Sequence, residues 1–99
     1  MWLFKKKGFR EIDLGLWKYM VNKHKIDSIT LDRIRYVTRK EEIGGVVAIT
    51  LVRVFLPHEA AAKGIKVTGW NTFDEHPELI LYEGYLNQNH KPFLVKRES

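Results

Sequence analysis

Cysteine is absent from the 99 residues, which excludes a disulfide framework, a thiolate nucleophile and a cysteine-ligated zinc. Long apolar runs are missing too. The longest nearly uncharged one, Ile43 to Val52, is far too short to span a bilayer. There is no glycine-rich phosphate loop, dinucleotide fingerprint or HExxH helix, and neither Ser28 nor Ser99 stands in a nucleophile elbow. We therefore expect no cofactor and lean away from an enzyme. No RRM, KH, zinc-finger or helix-turn-helix signature is visible, and there are no repeats or heptads. Met1-Trp2-Leu3-Phe4 is apolar, but lysines follow it instead of preceding it, so no secretion signal is expected and the cytoplasm is the default. The "WLFKKK" start combines aromatics with lysines, as membrane-surface anchors do. One short segment without a second anchor binds weakly, so membrane contact is not expected.

What is present is the composition of a globular domain, with 44% hydrophobic and 29% charged residues. The length fits one core. Charge is uneven. Residues 1–40 carry eleven Lys/Arg against four Asp/Glu, and residues 41–99 carry six against eight. A basic half is compatible with a nucleic-acid footprint, but two unlike faces of one domain explain it as well.

Residues 1–8 read as an exposed tail and 9–99 as one domain. Phe9 to Lys25 has helical periodicity, with Phe9, Ile12, Leu16, Tyr19 and Met20 on one side. A short strand leading into a shorter helix capped by Asp13 is the alternative. Ile29 to Arg39 is rich in β-branched residues and predicts a strand. "EEIGG" supplies a turn, and Val46 to Leu56 is the clearest strand, apolar on both faces. Pro57, Glu59 and Gly64 mark the start, first turn and stop of a short helix. Ile65 to Thr68, Leu79 to Leu86 and Phe93 to Lys96 read as further strands. The expected architecture is α+β: a mainly antiparallel sheet of four or five strands, the N-terminal helix packed on one face, and a short helix after the central strand.

Three constellations bear on function. Arg33, Arg35 and Arg39 share one face if 29–39 is extended, and a hairpin pairing Arg35 with Thr50 makes an arginine row suited to phosphate. Tyr36 points to the other face in that register, beside Ile49 and Leu51, which weakens a base-stacking platform. Asp74, His76 and Glu78 alternate and would make a metal or acid–base wall. Thr72 and Glu75 stand at capping-box spacing with Pro77 ending the turn, which accounts for the acidic cluster without a ligand. Glu83 is expected to pair with a cation, and Arg53, alone on an apolar face, either reaches an edge or marks an anion pocket.

The leading expectation is a non-enzymatic interaction or assembly module. A nucleic-acid-binding module comes next, and a metal-dependent enzyme third. Both faces of Val46 to Leu56 need cover while one long helix is on offer. Self-association or a protein partner is therefore expected, with Val46, Ala48, Val52, Val54 and Leu56 as the face left bare.

Overall fold

The computed structural model describes residues 10–11, 14–45, 47–87, 89 and 91–97. The tail 1–8, Phe9, Ile12, the Asp13 cap and Val46 lie outside the described residues. In chain order the elements are β1 (Arg10–Glu11), α1 (Leu14–His24), α2 (Ser28–Arg33), β2 (Arg35–Ile43), β3 (Val47–Phe55), α3 (Pro57–Ala62), α4 (Thr72–Glu75), a 3-10 turn (Pro77–Leu79), β4 (Ile80–Leu86) and β5 (Pro92–Lys96). The four long strands β2 to β5 form an open antiparallel meander, and β1 bridges β2 at Arg35 and Tyr36. The fold is α+β. No described helix is long and apolar enough to cross a membrane.

Local chemistry explains most of these elements. β3 is built of β-branched and large apolar residues that suit a pleated surface. α3 starts on Pro57, and the chain leaves it through Gly64 at φ +72°, the left-handed geometry that glycine takes without steric penalty. Gly44 and Gly45 turn β2 into β3 at φ +65° and +73°. α2 corrects the expected strand over 29–39. Asp27 accepts hydrogen bonds from the Thr30 amide at 2.7 Å and the Thr30 hydroxyl at 3.0 Å. That N-cap starts a helical turn despite the β-branched Ile29 and Thr30. The same bonds hold the Asp27 carboxyl below its ordinary value of 3.8. Its contribution to stability is therefore complete above that value and fades as pH falls through the lowered one. Ile65 to Thr68 forms no strand.

The register sets the faces. Arg35 stands opposite Phe55 and Thr50 opposite Lys40, not Arg35 opposite Thr50. The difference of five residues is odd, so it exchanges the neighbours on each face. Tyr36 lies opposite Val54 and shares a buried cluster with Leu16 and Met20 of α1, Leu31 of α2, Val52, Val54, Tyr82 and Leu94. On the other face a second cluster joins Val37, Phe55 and Ile80 to Ala60, Phe73 and Leu79, with Ile65, Val67 and Trp70 packed against it. Val52 and Val54 are fully buried, which corrects the expectation that their face would be the bare one.

β5 is an edge strand, and edge strands invite pairing with other chains. Here α1 closes its middle. The Tyr19 hydroxyl accepts from the Leu94 amide at 2.9 Å and donates to the Leu94 carbonyl at 3.1 Å. His24 Nε2 donates to the same carbonyl at 3.0 Å. One tyrosine thus does for Leu94 what a neighbouring strand would do.

Two outcomes follow from this packing. A Cβ at Gly84 would collide with the Phe93 carbonyl oxygen and press on the Leu94 Cα, so Gly84→Ala should destabilise the domain by about 3 kcal/mol or more. Urea unfolding measures this. Tyr19→Phe leaves the Leu94 amide without its acceptor and should cost about 1–3 kcal/mol. It should also raise Leu94 amide exchange above that of its β5 neighbours, read by hydrogen exchange.

Candidate functional site

Register rows run across the sheet on the face opposite α1. The first is Arg35–Phe55–Ile80, the second Val37–Arg53–Glu83–Val95, the third Arg39–Leu51–Tyr85–Phe93, and the fourth Glu41–Ile49. The Asn87 amide donates to the Lys91 carbonyl at 3.0 Å, extending the fourth row. α3, the 65–70 segment and α4 cover the first row and Val37. The cover stops at Arg53.

Arg53 is the peg that fixes it. Its guanidinium carbon lies 4.1 Å from the centre of the Trp70 ring. The same group donates to the Trp70 carbonyl at 3.3 Å and pairs with Asp74 at 3.1 Å. The charge that sequence alone could not place is therefore satisfied by a ring face, a carbonyl and a carboxylate. Thr72 is buried and uses its hydroxyl on the Thr68 amide at 3.0 Å. The expected capping box does not form: the N-cap of α4 is Asn71, and no side chain caps it.

Beyond Arg53 the face is open. Tyr85 is 38%, Phe93 52% and Val95 50% exposed, with Leu51 and Ile49 half-buried between them and β2. The Tyr85 and Phe93 rings pack at 5.5 Å between centres. Three ion pairs lie around them. Arg39 meets Glu41 at 3.3 Å and Arg97 meets Glu83 at 2.6 Å, as Arg53 meets Asp74. The expected cationic partner of Glu83 is thus Arg97. Trp17 and Ile29 are also exposed, on α1 and α2.

The residues singled out from sequence fall elsewhere. Arg33 ends α2 and is not on the strand, so the three-arginine row does not form. Arg35 turns its guanidinium to the carbonyls of Asp32 at 3.0 Å and Ile34 at 2.7 Å. Asp74 is engaged by Arg53, while His76 Nδ1 lies 3.5 Å from Glu78. Asp74, His76 and Glu78 therefore do not converge, and among the described residues no group of three His, Asp or Glu is placed to hold a metal. Tyr85, Phe93 and Val95 were not picked out from sequence. Their signal was the period-two alternation of "YEGYL" and "PFLVK", readable as a face only once both strands are in register.

Comparison with protein-family models, curated proteins and solved structures finds no match to this chain.

Arg53→Met keeps the aliphatic stem but removes the ring contact and the ion pair. It should lower stability by about 1–2 kcal/mol and shift Trp70 emission as the cover loosens. Unchanged stability and emission would show that the cover does not depend on Arg53.

Proposed function

We propose that this protein is a small non-enzymatic interaction module, and that its working surface is the open half of the sheet around Leu51, Tyr85, Phe93 and Val95. In this reading β1 counts as the fifth strand of the sheet and α1 as the cover of the opposite face, so among the described residues this half-face is the part of the sheet left for a partner. The observation that carries the proposal is the joint exposure of Tyr85, Phe93 and Val95 on adjacent strands. Single exposed apolar residues need no explanation, whereas a contiguous group rimmed by charge marks contact sites. The aromatics are held on a sheet instead of a loop, so little side-chain freedom is lost on docking.

The apolar area is on the order of 300 Å2, judged from half-exposed aromatic rings. At about 25 cal/mol per Å2 its removal from water is worth roughly 8 kcal/mol gross. Association and ordering offset much of that, so the module is a weak or transient binder by this face alone.

One observation favours nucleic acid as a second reading. Tyr85 and Phe93 are adjacent rings on a sheet face, the arrangement on which single-stranded bases stack. Such platforms also need uncompensated cations for phosphate. Arg39, Arg53 and Arg97 each already hold a carboxylate, which favours a protein partner.

A photo-cross-linking phenylalanine analogue at position 93 should give a discrete protein adduct in cells, lost when Tyr85→Asp is added. The same analogue at position 17, exposed on α1, should not. Equal labelling from both positions, or none from 93, would contradict the proposal. Salt-sensitive binding of labelled single-stranded RNA, abolished by Phe93→Ala, would replace it with the second reading.

A further inference from the structure

We propose that the partner on this face is a second copy of the chain, packed sheet against sheet about a two-fold axis running across the strands. The inference rests on the reading of the open half-face as a docking surface and adds its occupant.

The edges argue for a face contact. Leu94, at the middle of β5, has its outward amide and carbonyl taken by Tyr19 and His24. The outer edge of β2 beyond Tyr36 runs through Arg39, Lys40, Glu41 and Glu42, and charge along an edge resists strand addition. Continuous-sheet association is therefore blocked on one side and discouraged on the other.

Shape selects the axis. The face is a step: α3, the 65–70 segment and α4 stand over its first row and the Val37–Arg53 part of its second, and Val95 with the third and fourth rows is bare. An axis parallel to the strands would drive the two covers into each other. An axis across the strands turns the second copy end for end. Each cover then lies past the Gly44–Gly45 turn of the other copy, and each bare half meets a bare half.

Charge fixes where that axis falls. Placed between the third and fourth rows, it exchanges them. Arg39 then faces the partner's Glu41, and Glu41 faces the partner's Arg39. Leu51 covers the partner's Ile49, and Phe93 lies over the partner's Lys91, a cation on an aromatic face. Arg39 and Glu41 are half-exposed and already paired at 3.3 Å within one strand, so the exchange leaves no charge stranded. This self-complementarity is what an isologous interface requires, and it is the reason for choosing a second copy over an unrelated protein.

The test is sedimentation velocity of the intact chain from low micromolar to about millimolar protein, the range expected for so small a contact. The wild-type mass should rise from 11.7 kDa towards twice that value. Arg39→Glu and Glu41→Arg each place like charges opposite one another twice, and each should weaken self-association at least about tenfold. Mixed together, those two variants should recover it as a heterodimer, because every facing pair is then opposite in sign. A pair confined to one chain gives no such recovery. Circular dichroism of each variant should match the wild type, since both side chains are exposed. Self-association insensitive to the reversals, or not recovered on mixing, overturns the axis. A mass of 11.7 kDa at every concentration overturns the second copy. In that event an adduct from position 93 with a different protein leaves the docking face standing, and no adduct removes both.

Discussion

Covering both faces of β3 is the constraint on which the rest of this fold depends. Val52 and Val54 are buried on one side and Phe55 on the other. On the Val52 side the solution is generous: α1, α2, Tyr82 of β4 and Leu94 of β5 close a continuous cluster. On the Phe55 side, among the described residues, the cover comes from residues 57–79. Its apolar members, Ala60, Phe73 and Leu79 with Ile65, Val67 and Trp70, are gathered at one end and pinned by Arg53. What they do not reach is the half-face of Leu51, Tyr85, Phe93 and Val95. The open surface is thus the remainder of a covering problem, and its position follows from where the cover runs out.

Two open features of the sheet are treated differently. Its β5 edge is closed by side chains of α1, which act as hydrogen-bond partners for Leu94. Its free half-face is left apolar, with the Arg39–Glu41, Arg53–Asp74 and Arg97–Glu83 ion pairs around it. An edge that binds indiscriminately is a hazard, while a small face with a charged rim can discriminate. The contrast supports reading the face as a surface kept for contact.

Sequence conveyed the local elements well where chemistry is local. β3 announced itself by composition, α3 by Pro57 and Gly64, and the β2–β3 turn by its two glycines. It misled where a single residue outvoted a composition: Asp27 starts α2 inside a stretch whose β-branched content reads as strand. It also failed on faces. A hairpin register wrong by an odd number moved the arginines, Tyr36 and the expected bare surface together, since strand side chains alternate. Arg53 could not have been placed at all without Trp70 and Asp74, which lie far along the chain and meet it only in the folded state. The exposed half-face was hidden for a similar reason. Tyr85 and Phe93 are ordinary strand aromatics until their strands pair and the cover is seen to stop short of them.

The central claim is that this half-face, and no other exposed apolar site, is where the protein meets its own kind. Side-chain NMR over a dilution series tests it most directly. The account predicts that resonances of Leu51, Tyr85, Phe93 and Val95 shift together with concentration, while those of Trp17, Ile29 and the covered Phe55 and Phe73 stay fixed. Concentration-dependent shifts at Trp17 and Ile29 with none at Tyr85 and Phe93 would contradict it.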